Sequence, residues 1–493
     1  MTSRTAIVLW AALLAGLAFA QPPDPAELSR RAKDHMAAGR YGAAVPYYEE
    51  LVKAMPGNPG LRLNLAMALH LSGNDEKAVP QFELVLKQQP NALPALMLLG
   101  ASQMRLGHPE KAVGPLEKAM AQAPEDLEGR AMLADALIML DRYGAAIPHL
   151  RKLATAAPQN PKPWYALGKA YEAVSQKAFD DLEKKGLDSP WWLMLAAEVR
   201  LKLGRNTAAY ALYKAVIEKQ PQFRGAHAGL AEVYRRTNHA DWAEAELAKE
   251  KALPAQACTA PSSACEFAKG RFQQALALAS AGKTLESLYW QSKAANELAR
   301  MSLAELEKLP PSIESHQVLA ELYRNQGRNA DSLNEWRAAL AMAPGDPRLE
   351  MEVTSSLYVN RDYPAAEHEA REMLARHPEW PELHFILGDS LVNQQHLEQA
   401  LPALEKAVEL KPDYAAAHAV LGRILLQLGR GKDAISHLSS ALPVDTDGSL
   451  HFLLSRAYQD AGQASEAAEV MKAYQAIRKS TATGEIEIAP PQP

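Results

Sequence analysis

The chain has 493 residues, of which 48% are hydrophobic and 23% charged, and its formal net charge is −5 at pH 7. This length exceeds what one globular core accommodates, so either several domains or one long repeat array is required. The lack of a basic excess argues against nucleic acid as a partner, and two cysteines are too few for a disulfide-dense scaffold or a zinc site with four cysteine ligands.

The N-terminus has the pattern of a secretory signal peptide. Arg4 supplies a positive charge, residues 6–17 are an apolar run, and Ala18-Phe19-Ala20 places small residues before a cleavage site after Ala20. A membrane anchor is the alternative, although the run is short for a membrane span. No later stretch approaches a spanning length of apolar residues. We therefore expect an exported protein, periplasmic or secreted, whose mature chain has no integral membrane segment.

A period of 34 residues organises the stretch 21–160. Small residues recur at two places in each period, and a proline closes it. Small residues let two helices approach closely, and proline cannot continue a helix, so this pattern is typical of stacked helix pairs. The recurring positions are Ala32, Ala66, Gly100 and Ala134; Ala44, Ala78, Ala112 and Ala146; and Pro56, Pro90, Pro124 and Pro158.

The pattern resembles the tetratricopeptide repeat family, in its exported bacterial type, and similar marks cover nearly all of the chain after residue 20. The resemblance implies an all-α fold, a right-handed superhelical solenoid of about twelve antiparallel helix pairs. The expected segments are a signal peptide at 1–20, four regular repeats at 21–160, an irregular helix pair plus two repeats at 161–257, a cysteine loop with a truncated repeat and an irregular helix pair at 258–312, five repeats at 313–481 and a disordered tail at 482–493.

The two irregular units lack the glycine that turns the chain between helices. Nothing between Gly168 and Gly186 would break a helix, so the two helices expected there either meet at a tight turn or fuse. Lys169 recurs with its neighbours as Lys293, and the regular repeat that follows each irregular unit recurs about 123 residues later. The recurrence favours duplication of a longer block; the alternative is that both segments are ordinary repeats.

The sequence shows no motif for catalysis: HExxH, GxSxG, a phosphate-binding loop and a dinucleotide-binding glycine pattern are all missing. We expect no enzymatic activity, no cofactor and no metal site. Histidines at the fourth position of several repeats suggest a ladder of metal ligands, but neighbouring repeats would separate them by roughly 10 Å, which favours simple packing between helices. These histidines are His227, His316, His384, His418 and His451.

The two cysteines, Cys258 and Cys265, are expected to form a structural disulfide. In an exported protein such a close pair oxidises and closes a small ring. The alternative is a redox-active or metal-binding pair, but the spacing is not that of a CxxC motif and no basic cluster lies nearby to lower a thiol pKa.

The resemblance implies a binding groove on the concave face, formed by the first helix of each repeat. This face is apolar in the first four repeats and charged or mixed further along. Methionine suits a surface that accepts several apolar sequences; the alternative is that these methionines belong to the core. The predicted groove residues are Leu63, Met67, Met97, Met104, Ile138, Met139, Lys169, Glu198, Glu232, Arg235, Arg236, Glu321, Arg324, Asp389, Asn393 and Arg423.

These features predict a non-enzymatic scaffold, exported to the cell envelope, that binds peptides or helices of other proteins along its groove. Two alternatives stay open. One is an accessory subunit of envelope polysaccharide export or outer-membrane assembly. The other is a carbohydrate-binding solenoid, for which the aromatic residues of the predicted groove are the support: Tyr165, Trp191, Tyr358, Phe385 and Phe452.

Overall fold

The structure, a computed structural model, describes residues 24–254, 258 and 260–482, and of residues 479–482 it describes the backbone. The expected signal peptide and residues 483–493 of the expected tail lie outside the described residues. Within the described part the chain forms 26 α-helices, one short 3-10 helix and no strand, so the all-α prediction is confirmed. No helix in this part is both long and apolar enough to cross a membrane.

The chain divides into two compact units, Met1–Pro158 and Gln159–Pro493, called unit 1 and unit 2. In unit 1 each helix packs against the next, which is the arrangement of a helical solenoid. Its helices are α1 (Pro25–Ala37), α2 (Tyr41–Ala54), α3 (Pro59–Leu71), α4 (Asp75–Gln88), α5 (Leu93–Arg105), α6 (Pro109–Gln122), α7 (Leu127–Met139) and α8 (Tyr143–Ala156).

Each helix pair of unit 1 turns at a residue with positive φ. Gly39, Gly73 and Gly107 have φ angles of 68°, 83° and 73°. Glycine is favoured at such a helix C-terminus because a Cβ atom makes this conformation unfavourable. Asp141 takes the fourth turn with φ 54°, and aspartate is among the residues that tolerate the left-handed region best after glycine. The fourth repeat therefore keeps the turn although it lacks the glycine.

Small residues hold the paired helices of unit 1 close together. Ala32, Ala66 and Ala134 have no exposed surface. At the equivalent place in the third repeat, a Cβ atom added to Gly100 would come within 2.6 Å of the Leu116 side chain. Because real Cβ contacts are never that short, the leucine occupies the space that the missing side chain leaves.

Unit 2 contains the other eighteen α-helices of the described residues. They are α9 (Pro161–Gly186), α10 (Pro190–Lys202), α11 (Asn206–Lys219), α12 (Ala226–Arg236), α13 (Ala240–Ala252), α14 (Ser263–Ala268), α15 (Phe272–Ala281), α16 (Leu285–Leu306), α17 (Ile313–Asn325), α18 (Asn329–Met342), α19 (Pro347–Val359), α20 (Tyr363–Leu374), α21 (Pro381–Asn393), α22 (Leu397–Leu410), α23 (Ala415–Gln427), α24 (Gly431–Ala441), α25 (Ser449–Asp460) and α26 (Ala464–Ala482), with a 3-10 turn at Leu442–Val444.

The two irregular units are single helices rather than the expected helix pairs. The helix α9 has 26 residues and α16 has 22. The physical reason is the one that left fusion open in the sequence: neither segment contains a residue that turns the chain midway. Neither helix therefore has a second helix from its own repeat to pack against, and its apolar face has to be covered by another part of the chain.

The long helices α9 and α16 cover each other. The Ser175 hydroxyl donates to the carbonyl oxygen of Ser292 at 3.0 Å. On one side of this contact Gly168 lies against Leu303, and on the other side Gly186 lies against Leu285. The numbers rise along one helix while they fall along the other, so the two helices are antiparallel. The segment α10–α15 leaves this pair and returns to it.

The pairing of α9 with α16 is reciprocal, as a duplicated block predicts. The long helices are offset by 124 residues, so Ser292 is the counterpart of Gly168 and Ala299 is the counterpart of Ser175. Gly168 lies against Ala299, the counterpart of Ser175, and Ser175 lies against Ser292, the counterpart of Gly168. The helices α9–α15 correspond in the same order to α16–α22, and we call these the first and second block. Two related surfaces thus meet in the way that identical subunits meet across a twofold axis.

Candidate partner-binding surfaces

The predicted apolar groove residues of unit 1 lie on the first helix of three successive pairs. Leu63 and Met67 are on α3, whereas Met97 and Met104 are on α5. Ile138 and Met139 are on α7. Five of the six side chains are partly buried, whereas Met139 is 57% exposed. We call these six residues the apolar strip.

The apolar strip is shared between core and surface. Leu63 and Met67 pack against the buried cluster of the first three repeats while keeping part of their surface exposed. The Met97 methyl group lies 2.6 Å from where a Cβ atom on Gly129 would be, so it fills the gap between α5 and α7. The strip residues therefore combine buried and accessible surface, and Met139 at the end of the strip is the side chain with most accessible surface.

A buried polar cluster lies next to the apolar strip and joins α3, α4 and α5. Asp75 is 6% exposed, and its carboxylate lies 2.7 Å from the Arg105 guanidinium and 2.8 Å from His70 Nδ1. Burial works to raise the pKa of Asp75, but hydrogen bonds from Arg105, Ser102 and His70 outweigh it and lower the pKa.

The cluster contains serine, histidine and aspartate, but its geometry is not that of a hydrolytic triad. A triad uses the two nitrogens of the imidazole ring for different partners. Here Ser102 Oγ and Asp75 Oδ1 both lie 2.8 Å from the same atom, His70 Nδ1. Ser102 is also fully buried, so its hydroxyl has no access to a substrate. The cluster orients the helices beside the strip.

The charged groove residues of unit 2 form ion pairs with one another. Lys169 Nζ lies 2.8 Å from Glu321, and Lys293 Nζ lies 2.6 Å from Glu198. The two pairs are related by the duplication, because each joins a lysine of one long helix to the helix that follows the other. Burial opposes the charge of Lys169, but hydrogen bonds to Glu172 and Glu321 raise its pKa. These residues therefore stabilise the block interface.

Further along the predicted groove, the polar side chains are also paired. Asp389 is nearly buried and accepts from the Tyr358 hydroxyl at 2.7 Å. Asn393 and Arg423 donate to the same carboxylate at 3.3 and 3.4 Å. These contacts link α19, α21 and α23, and a polar ligand at this place would have to compete with them.

The remaining predicted groove residues pair within one repeat or with the next. Glu232 accepts from Arg235 and Arg236, and hydrogen bonding to Arg236 lowers the pKa of Glu232. Arg324 lies 3.2 Å from Glu352. The structure thus pairs the charged groove residues either with one another or, for Glu198 and Arg324, with Lys293 and Glu352, and whether a partner contacts them stays a prediction.

Three of the five histidines at the fourth repeat position bond to the second helix of their own repeat, whereas His384 and His451 bond to Pro378 and Asp445, which precede their helices. His316 Nδ1 lies 2.6 Å from Glu335 and His418 Nδ1 lies 2.9 Å from His437, in each case 19 residues further along. His227 contacts Glu246 in the same way. In the part of the chain that the structure describes, no three His, Cys, Asp or Glu side chains are grouped to hold a metal ion.

Unit 2 also contains an aromatic cleft of about 740 Å³ between α10, α11, α12, α14 and α16. Tyr213, Phe267, Tyr289 and Trp290 line it together with Lys293. Phe267 lies 5.3 Å from Trp290, and Trp290 lies 4.9 Å from Tyr289, measured between ring centroids. Burial raises the pKa of Tyr289 well above its ordinary value. The cleft is therefore a preformed, mainly aromatic concavity.

A smaller recess of about 260 Å³ adjoins the cleft and shares Trp290 and Arg224 with it. Trp191 lies in the recess, 4.8 Å from Phe223 between ring centroids. The expected disulfide is present, with the two Cα atoms 5.7 Å apart, and Cys258 borders the cleft. Sequence reasoning missed this site because α14 and α16, which complete its walls, come from a segment where the repeat pattern fails; Trp191 was the one signal available.

Family models with the description "Tetratricopeptide repeat" match residues 35–102 and 103–170, and another with the same description matches residues 387–449. The peroxisomal targeting signal receptor of Eremothecium gossypii is 30% identical over 106 residues, which are 22% of this chain and 19% of the receptor. This chain therefore matches about a fifth of that relative's length.

Several solved structures are similar at low identity. The MamA protein is 18% identical over 36% of this chain and 98% of its own, with a TM-score of 0.30. A thermophilic TPR protein of Thermus thermophilus is 21% identical over 35% of this chain and 98% of its own, with a TM-score of 0.29. Naa15/Naa10 bound to HypK-THB is 15% identical over 92% of this chain and 94% of its own, with a TM-score of 0.32. From its repeat pattern, its helix pairs and the matching family models, the chain is a tetratricopeptide repeat protein.

Proposed function

We propose that this protein is a non-enzymatic interaction scaffold of the cell envelope, and that it binds apolar peptides or helices of partner proteins on the apolar strip. The carrying observation is that half-buried apolar side chains recur on the first helices α3, α5 and α7 at the spacing of the repeat. A binding surface on equivalent helices of stacked pairs is the usual arrangement in repeat proteins. Repeats of this family suggest a protein–protein interaction scaffold in general.

The chemistry of the strip favours an apolar partner segment. Methionine side chains are flexible and polarizable, so they adapt to different apolar sequences. Leu71 and Leu127, at the ends of α3 and α7, add exposed apolar surface of 42% and 38%. An amphipathic helix or extended peptide could cover this surface with side chains three to four residues apart.

Export is proposed on two observations. The N-terminal pattern with its small residues at 18–20 is typical of a signal peptide, and it lies outside the described residues. The disulfide between Cys258 and Cys265 is the kind of bond that forms and persists in oxidising compartments. Intact mass of the mature protein from envelope fractions tests export: a chain that still begins at Met1 contradicts cleavage after Ala20.

A charge substitution in the apolar strip tests partner binding. Replacing Met67, Met104 and Met139 by lysine adds three charges to the strip, while Met97 is left intact because it packs against Gly129. We expect partner recovery from envelope extract to fall at least tenfold, because a charged ammonium cannot be buried against an apolar segment without loss of its hydration.

The matched control carries the same three added charges elsewhere on unit 1. Gln88, Gln122 and Thr155 lie on the second helices α4, α6 and α8 and are exposed. Replacing them by lysine should leave recovery unchanged. Equal recovery by the strip variant and the control variant would remove the apolar strip as the binding site, provided that both keep the unfolding midpoint of the parent protein.

A further inference from the structure

The helices around the aromatic cleft have counterparts at the reciprocal contact between the blocks. Particular residues therefore decide where a cleft opens. At the cleft, Tyr289 and Lys293 of α16, in the second block, face Glu198 of α10, in the first block. The reciprocal contact between the blocks repeats this arrangement: Lys169 of α9 pairs with Glu321 of α17, and Tyr165 precedes Lys169 by one turn, as Tyr289 precedes Lys293. Glu321 is also a charge that acts on the Tyr165 hydroxyl.

The residues that bound the space differ between the blocks. Ala228 and Gly229 line the cleft in the first block, and the duplication places Met351 and Glu352 at the same positions of the second. Met351 packs against the buried cluster of the second block, and Glu352 pairs with Arg324. The first block therefore keeps small residues where the second has long side chains, so the opening is not a necessary result of the fold.

The walls of the cleft are held in place by packing and hydrogen bonds. A Cβ atom on Gly229 would come within 2.3 Å of the Tyr213 ring, so the glycine allows that ring to lie close against α12. The Glu250 carboxylate accepts from the backbone N–H groups of Gly225 at 2.9 Å and Ala228 at 3.4 Å, which fixes the start of α12. A rigid site of this kind loses little conformational entropy when a ligand binds.

The electrostatics of the cleft favour a neutral ligand. The Lys293 ammonium lies 5.4 Å from the Tyr289 ring centroid and 5.7 Å from the Phe267 ring centroid. The protein's own cation thus occupies the aromatic faces that would otherwise attract a cationic ligand. Glu198 compensates the charge of Lys293, so the pair offers little net attraction to an anion either.

The recess supplies polar groups beside flat aromatic faces. Glu286 accepts from the indole N–H of Trp290 at 3.3 Å, which orients the ring at the junction of cleft and recess. Arg224 donates to the carbonyl oxygens of Leu253 and Pro254 at 3.1 and 2.6 Å, so the guanidinium is fixed at the rim. Gln220 and Gln222 also line the recess. Such planar polar groups can donate to or accept from two adjacent hydroxyls.

We propose that the aromatic cleft and its recess bind a neutral oligosaccharide. The apolar faces of pyranose rings would stack on Trp290 and Trp191, which are partly exposed, while ring hydroxyls bond to Arg224 and Glu286. The combined volume is in the range of small-molecule sites. This site uses no residue of the apolar strip, so it and the proposed partner binding can fail independently.

Titration of the intact protein with maltohexaose, cellohexaose and chitohexaose, followed by calorimetry and tryptophan fluorescence, tests the proposal. We expect at least one of the three to bind at millimolar concentration or below. Trp290→Ala removes a stacking face and should weaken binding at least tenfold. Ala228→Met copies the second block into the cleft and should weaken it equally without removing an aromatic ring.

The matched control is Met351→Ala, which makes the reciprocal change in the second block and should leave affinity within about twofold of the parent. The unfolding midpoint of each variant shows that it is folded. The proposal is overturned if none of the three oligosaccharides binds, or if binding is the same in Trp290→Ala and Ala228→Met as in the parent.

Discussion

The two blocks of unit 2 share a framework and differ in what fills it. Both contain a long helix with a lysine and a glutamate on the next helix, and each lysine pairs with the glutamate of the other block. In the first block Gly229 leaves room for the Tyr213 ring, whereas in the second block Glu352 and Trp336 hold the same two positions. The comparison teaches that the interface between the blocks constrains the lysine and glutamate, while the wall positions can change and give the blocks different surfaces.

The largest effect is expected from Gly229→Ala in the wall of the cleft, compared with Glu352→Ala at the equivalent position of the second block. Gly229→Ala places a Cβ atom 2.3 Å from the buried Tyr213 ring, so the ring or α12 has to shift. We expect a loss of about 2 kcal/mol in the free energy of unfolding, because overpacking outweighs the gain in helix propensity. Glu352→Ala removes a half-exposed pair with Arg324 and should cost less than about 1 kcal/mol.

Urea unfolding followed by circular dichroism measures both changes. Gly114→Ala in α6 is the control for helix propensity, since a Cβ atom there meets nothing within 4 Å and should raise the free energy of unfolding by roughly 0.5–1 kcal/mol. If Gly229→Ala were as stable as the parent, the wall of the cleft would be soft and the contrast between the two blocks would lose its structural basis.

A smaller effect is expected at the reciprocal ion pairs. The Lys293–Glu198 pair is about a quarter exposed, at 22% and 26%, whereas Lys169 and Glu321 are 37% and 31% exposed. Lys169 also has a second carboxylate, that of Glu172, at 2.8 Å. Double-mutant cycles with methionine for lysine and glutamine for glutamate should give a coupling energy of about 1 kcal/mol for the first pair and less for the second.

The two cycles differ for a physical reason that can be checked within the same experiment. When Glu321 is replaced, Lys169 keeps its contact with Glu172, so part of the interaction survives. Replacing Glu172 as well should remove this second contact and lower the free energy of unfolding further. Equal coupling energies in both cycles, with Glu172 intact, would contradict the view that solvent exposure and the second carboxylate make the two ion pairs differ in strength.

The sequence predicted the local structure of unit 1 well, because there the period is unbroken. The second helices α2, α4, α6 and α8 each end two residues before the proline predicted to close their repeat. The strip residues were predicted to share a face, and they do lie on successive first helices. Their partial burial was left open, since periodicity cannot distinguish a groove residue from the edge of a core.

The pairing of α9 with α16 could not be predicted in the same way. A 34-residue period describes contacts between neighbouring repeats, whereas Ser175 and Ser292 are 117 residues apart. The recurrence of Lys169 as Lys293 suggested duplication but not that the two copies meet. The aromatic cleft depends on that meeting, because Tyr289 and Trp290 reach α10–α14 when α16 returns to α9.

The smallest effect is expected at the histidine in the fourth position of the repeat, whose partner is a glutamate in some repeats and a histidine in another. In both blocks the histidine of the fourth position bonds to a glutamate, His227 to Glu246 and His316 to Glu335. In the later pair of α23 and α24 the partner is His437, whose Nδ1 lies 2.9 Å from that of His418. His418 Nε2 lies 3.0 Å from the carbonyl oxygen of Pro412, so it donates there and its Nδ1 accepts from His437.

This arrangement makes the repeat at α23–α24 sensitive to acid. Burial and the neighbouring His418 lower the pKa of His437 below 6.5, and the charge of Asp433 offsets only part of this. The unfolded chain therefore binds the proton more readily than the folded chain. The contribution of neutral His437 to the free energy of unfolding is fully present above pH 6.5 and is lost as the pH falls below that value. His437→Gln keeps a donor for His418 and does not titrate. Between about pH 7.5 and 5.5, urea unfolding of the parent should lose up to about 1 kcal/mol more than that of this variant, and equal losses would show that the pair is not buried enough to matter.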